Sequence, residues 1–175
     1  DVQDELDRMP TGTTMLGDLV ATTMSHLSTD TGRALGQIAH LVPLPLDSLD
    51  RIAVVDDLAG QVARAGIPFD LRRDGYADLT GPVREAIVAH APLAPESARR
   101  AAEVWTERGE HVRAIRLLIT AGDPDRAAEL LASVGSDVAA RLDYHELQAI
   151  VAAIGPPLRR HPRALLHLAR SCEAA

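Results

Sequence analysis

The 175-residue chain carries side chains that could bind metals, attack carbonyls or move protons, and their spacing limits which of these they can do. Seven histidines stand at His26, His40, His90, His111, His145, His161 and His167. A zinc-binding helix needs two histidines one turn apart with further ligands converging on them. No His-x3-His pair occurs: His145-Glu146 lacks the second histidine of a zincin, and His161 and His167 are six apart. Histidines so placed are expected on solvated or half-buried helix faces. The serines (Ser25, Ser28, Ser48, Ser97, Ser133, Ser136, Ser171) fall in helical or capping contexts, without the Gly-x-Ser-x-Gly elbow that exposes a nucleophile on a strand-to-helix turn. Cys172 is the lone cysteine, so it forms no internal disulfide or multi-cysteine metal site, and on an apolar helix face it acts as a small hydrophobe. Phosphate binding by a glycine-rich turn is excluded as well. There is no Gly-x4-Gly-Lys and no Gly-x-Gly-x2-Gly, and all 18 basic residues are arginines. The expectation is no catalytic, cofactor-binding or metal-binding residue in this chain, and no enzyme.

The elements that would position any site are mostly helices. Only four aromatics occur (Phe69, Tyr76, Trp105, Tyr144), so the core must be built from Leu, Val, Ile and Ala, the composition of packed helices. The longest apolar runs, 41–46 and 86–94, are short and broken by Pro or His, so no membrane span is expected. Residues 1–12 are polar and aperiodic and read as a linker. Leu16, Leu19, Val20 and Leu27 then recur at helical spacing, and Ser28 stands where it can cap a second helix over 29–42. Pro43 and Pro45 end that helix. Asp47 can cap a segment over 48–54 and Asp56 one over 57–65, with Gly66 in the left-handed position beyond. Ile67, Phe69 and Leu71 alternate with polar or proline positions, and Asp74-Gly75 is a type I′ turn signal before Tyr76 to Leu79, giving one β-hairpin. Pro82 opens a further helix through Val83, Ile87 and His90.

Downstream the pattern is repetitive. Residues 109–122 (GEHVRAIRLLITAG) and 122–135 (GDPDRAAELLASVG) align as Gly-x3-Arg-Ala-x2-Leu-Leu-x3-Gly with a 13-residue period, each unit reading as one helix and a glycine corner. Trp105, Gly109, Ala121 and Ala128 also fit the tetratricopeptide pattern, but Gly122-Asp123-Pro124 falls where that register needs helix. Asp143 and Glu146 form a capping-box pair ahead of Leu147, Ile150, Val151 and Ile154. Pro162 opens a last helix with Leu165, Leu168, Ala169 and Cys172 on one face. That apolar face runs on to the C-terminus, so the array is expected to continue in a longer parent protein, of which a chain starting with Asp1 rather than Met would be an excised piece. The fold class read from these signals is mainly α. It has a linker (1–12), a winged-helix-like module with one hairpin (13–91) and an antiparallel, TPR-like helical-repeat array (92–175).

Charge decides how such a module is used. The net charge of −7 is concentrated in residues 1–70, with 11 acids against 4 arginines, while residues 71–175 balance 14 against 14. The helix that would enter a DNA groove falls within 48–65, which carries Asp50, Asp56 and Asp57 against Arg51 and Arg64. Phosphate contacts need several cations on one face, so this surface would repel a duplex. Arg72 and Arg73 on the hairpin, and the cluster Arg159, Arg160, His161 and Arg163, read as solvated charges.

The segment AGIPFDLRRDGYADLTGPVREAIVAH followed by EVWTERGEHVRAIRLLITAGDPDRAAELLASVG resembles the middle of the large ATP-binding LuxR-family transcription regulators, the MalT-like proteins. The resemblance runs from about Met15 to the end and is strongest over 65–135; His161-Pro162-Arg163-Ala164-Leu165-Leu166 resembles the start of that family's repeat domain. It implies an ATPase upstream, helical repeats that bind an inducer or partner, and a helix-turn-helix downstream. The chain would then be a non-catalytic connector that relays the ATPase state. Its partners would be the ATPase and sensor domains of the same protein, plus a protein partner on the helical array. ATP or ADP would be bound only by the parent, in the cytoplasm, and the connector itself would contact neither nucleic acid nor membrane. Where Val83-Arg84-Glu85 matches the family, Thr80 takes the place of a nucleotide-sensing histidine, and a threonine hydroxyl carries no charge near neutral pH. The alternatives are a stand-alone winged-helix repressor and a helical-repeat adaptor.

Overall fold

The computed structural model describes residues 12–67, 69–89 and 91–166, with backbone only for 12–14 and 16. The chain forms two compact units, Asp1–Leu93 and Ala94–Ala175. The architecture is mainly helical with one small antiparallel sheet.

In the first unit, α1 (Gly12–Ser25) packs against α5 (Gly81–Val88), and α2 (Thr29–Leu41) packs against α3 (Leu49–Ala53), α4 (Leu58–Arg64) and α5. Ser28 caps α2 as expected, its hydroxyl accepting from Thr31 N at 3.1 Å. Leu35, Ile38, Leu44, Leu49, Ile52, Leu58, Val62 and Ile87 are fully buried and make an aliphatic core. Deleting any one of them would cost about 2–5 kcal/mol.

Two features differ from the expected pattern. The sheet has three strands: β1 (Leu44–Pro45), β2 (Asp70–Leu71) and β3 (Tyr76–Asp78), in the order β1-β3-β2. Leu44 pairs with Ala77, which pairs with Leu71 on its other side. Pro45 is tolerated because β1 is an edge strand, and a proline there loses no ladder bond that a central strand would need. The hairpin turn is not type I′. Gly75 N donates to Arg72 O at 3.1 Å, and in this turn only Gly75 has positive φ, at 83°. That is a three-residue loop closed by a left-handed glycine.

The connection from α3 to α4 also departs from expectation. Asp57 rather than Asp56 caps α4, accepting from Gly60 N at 3.2 Å, while Asp50 accepts from both Asp57 N (2.9 Å) and Leu58 N (3.0 Å). Asp47 accepts from the Ser48 hydroxyl instead of capping, and the stretch Leu46–Ser48 is a 3-10 turn ahead of α3. Gly66 takes the left-handed conformation foreseen for it.

The second unit contains α6 (Pro95–Glu107), α7 (His111–Thr120), α8 (Pro124–Arg141) and α9 (Tyr144–Ile154), followed by a 3-10 turn (Pro156–Arg160). Gly109 and Gly122 turn the corners at φ 74° and 69°. The third glycine of the repeat does not. Gly135 is buried inside α8, which bends at Val134 (φ −125°, ψ 16°) and runs on to Arg141. Continuing places Val138 in the core beside Leu131, two turns earlier on the same face. The capping box of α9 forms as expected between Asp143 and Glu146. Residues 162–166 are helical, and Leu168, Ala169 and Cys172 lie outside the described residues.

Candidate functional site

The histidines and serines do not converge. His40 donates through Nε2 to Ala91 O at 2.7 Å, His111 lies 3.0 Å from Asp137, His145 sits edge-on to Tyr144, and His26 is exposed. His90, His167, Ser171 and Cys172 lie outside the described residues. Among the described residues, no three His, Cys, Asp or Glu side chains are grouped to hold a metal, and no helix is long and apolar enough to cross a membrane. Ser97 is buried and accepts from Arg100 at 3.2 Å, and Ser133 donates to Leu130 O. Both bonds join residues one helical turn apart.

Two cations of the first unit are paired with acids. Arg64 on α4 pairs with Asp57 at 3.2 Å, and Arg72 in the hairpin pairs with Asp74 at 2.9 Å. In the 159–163 cluster, Arg160 pairs with Asp125. Thr80 precedes α5 without making a side-chain cap, and its carbonyl accepts from Arg84 N at 2.9 Å.

One concavity lies in the second unit. The helices α6 and α8 both pack on α7, and a groove of about 440 Å³ opens beside them. Two turns of α6 supply Ala102, Glu103, Thr106 and Glu107, and α8 supplies Arg126, Glu129, Leu130 and Ser133. The α8 positions are i, i+3, i+4 and i+7 and the α6 positions i, i+1, i+4 and i+5, so each set lies along one side of its helix, while Ala127, Ala128 and Leu131 turn to the core. Leu118 of α7 also lines it. The charges are three glutamates and one arginine, and that arginine is already engaged: Arg126 pairs with Glu103 at 3.3 Å.

The 13-residue repeat explains why Arg126 is there. Its equivalent one repeat earlier is Arg113, and both reach back to α6. Arg113 lies over the buried Trp105 ring, 3.9 Å from its centroid, whereas Arg126 meets Glu103. Further ion pairs tie neighbouring elements together: Arg99 with Asp123, and Arg116 with Glu146. Asp137 on α8 takes a hydrogen bond from His111 and faces the Arg141 guanidinium. These hold its carboxyl below the ordinary aspartate value despite some desolvation.

None of the groove's polar residues stands out in the sequence, because Glu103, Glu129 and Ser133 look like ordinary outward positions of Ala-rich helices. The signal that could have found them is the periodic stripe itself, set opposite the core stripe on α8 and bordering it at Ala102 on α6. No protein family, curated protein or solved structure was found to match the chain.

Proposed function

We propose that the chain is a non-catalytic regulatory connector of a LuxR-family ATP-binding transcription regulator. In this reading a winged-helix-like module (13–91) is followed by a TPR-like helical array (92–175). The observation that supports it is the order of elements: α2, β1, α3, α4, β2, β3 with sheet order β1-β3-β2, then successive helices turning at Gly109 and Gly122. Helix, strand, two helices and a hairpin is the winged-helix order, with α4 in the place of the DNA-reading helix. The ion pairs at Arg64 and Arg72 support a use other than phosphate binding, since a phosphate would compete with the carboxylate that each already meets. The module would instead pack within the parent protein, between an ATPase and the sensor repeats, and pass on the ATPase state. The cytoplasm would be its compartment.

Calorimetry with ATP and duplex-retardation assays test this on the purified 175-residue chain. Neither ligand should bind at physiological salt. Micromolar ATP binding would overturn the reading. Salt-sensitive duplex binding that weakens on Arg72→Ala and Arg73→Ala would transfer it to the stand-alone repressor. Sequencing of the flanking coding region should find a Walker motif upstream and a helix-turn-helix downstream, and finding neither would sink it.

A further inference from the structure

The chain contains no asparagine and a single Asp-Gly step, Asp74-Gly75, at the tip of the β2–β3 hairpin. An aspartate followed by glycine is well placed to react with its own backbone, because the glycine amide nitrogen reaches the aspartate Cγ with no Cβ in the way. Both residues are exposed, and no atom beyond the chain neighbours lies within 4 Å of where a Gly75 Cβ would stand. Three contacts hold the reacting groups. The Asp74 carboxylate accepts from Arg72 at 2.9 Å and from Tyr76 N at 3.3 Å, and Gly75 N donates to Arg72 O at 3.1 Å. All three belong to one loop, and the strand that closes it is weakly held: β2 is two exposed residues at the sheet edge, paired only with β3. An edge so short and so little buried opens locally at low cost, and each opening frees the carboxylate and the amide together. Asp47-Ser48, where the next residue is also small, is different, because Ser48 is buried in a 3-10 turn.

We propose that Asp74 is a self-modification site, at which the folded chain converts to isoaspartate and the hairpin comes undone. Gly75 N bonds to Cγ of the protonated Asp74 side chain, the Cγ–OH bond breaks, and one water leaves with that hydroxyl and the amide hydrogen. The five-membered imide then takes up one water. Breaking its Cγ–N bond restores aspartate. Breaking the bond between the main-chain carbonyl carbon and N leaves the chain running through Cβ and Cγ, with the α-carboxylate free. Mass and net charge are unchanged, and water is the sole co-reactant. The product lengthens the backbone by one carbon inside a three-residue loop, and loop length sets the register of Leu71 against Ala77 and the 2.8 Å bond from Arg72 N to Tyr76 O. Conversion therefore releases β2 from β3. The β1–β3 pairing stays, since Leu44 and Ala77 are fully buried. This chemistry goes beyond the connector role and does not depend on it.

The test holds the full 175-residue chain at physiological temperature and neutral pH for weeks. Isoaspartate is counted by enzymatic transfer of a labelled methyl group to its α-carboxylate, and located by mapping with a protease that cuts before aspartate but not before isoaspartate. Label should accumulate with time, and the bond that becomes resistant should be Arg73–Asp74. Asp74→Glu, which would have to close a six-membered ring, should lower the label several-fold, whereas Asp47→Glu should leave it unchanged. In the aged chain the Arg72 amide hydrogen should exchange several-fold faster, while that of Leu35 in the α2 core keeps its rate. Label that forms only in urea, label undiminished in Asp74→Glu, or an Arg72 amide that exchanges alike in fresh and aged chains would overturn the proposal.

Discussion

Val54 ends α3 in the left-handed conformation, with φ 59° and ψ 39°, and its side chain is 69% exposed. A β-branched residue there sets its Cβ against the following carbonyl oxygen, at a cost of about 1–2 kcal/mol. The surroundings impose the conformation: Val54 N donates to Asp50 O at 2.8 Å, and the Asp50 carboxylate accepts from Asp57 N and Leu58 N. Val54→Asn should therefore stabilise the protein, because asparagine tolerates the left-handed region and its short polar side chain suits an exposed corner. Against this stands the third of the valine side chain that is covered, worth about 0.5–1 kcal/mol at full-burial values of 1.5–3. The balance is a gain of about 0.5–1 kcal/mol, which for a unit of this size raises the melting temperature by about 3–5 °C. Val54→Ala is the control, since it loses the same coverage and keeps the Cβ clash. The assay is thermal unfolding followed by far-UV circular dichroism. If the asparagine variant melts no higher than the alanine variant, strain at Val54 is not what the corner stores.

Three further outcomes follow from the second unit. Asp143→Ala removes one half of the α9 capping box and should cost about 1 kcal/mol in urea unfolding, with Asp143→Ser recovering most of it. Trp105→Ala empties a fully buried site and removes the ring beneath Arg113; urea unfolding should show a loss of about 3–5 kcal/mol, whereas Trp105→Phe should lose less. Asp137 has a folded pKa below its unfolded value, so its stabilisation is complete above the unfolded value and is lost as pH falls through the depressed folded one. Stability measured against pH should therefore fall less steeply on the acid side in Asp137→Asn than in the unaltered chain, and identical curves would refute the assignment.

Local rules made much of the fold legible. Ser28, Gly66, Asp143 and Glu146 act as their residue types dictate, because caps and left-handed glycines are set within a few residues of chain. What sequence reading missed is tertiary. β1 is two residues long and contains Pro45, so no alternation can announce it; it exists because β3 offers Ala77 and Tyr76 as partners. Gly135 keeps the spacing of Gly109 and Gly122 but does not turn. After Gly122 the chain reads Asp123-Pro124, an N-cap and a proline at the first helical positions, so the corner and the next helix start are encoded together. After Gly135 no proline follows, and Val138 is buried by simply continuing.

The same contrast explains why the groove on α6 and α8 is not legible in the sequence. A catalytic or metal site needs particular residue types at particular spacings, so a sequence lacking those spacings limits what chemistry it can encode. A groove between helices needs only two helix stripes brought beside a third helix, and glutamate, threonine and leucine in a stripe look like any solvated face until the packing is known.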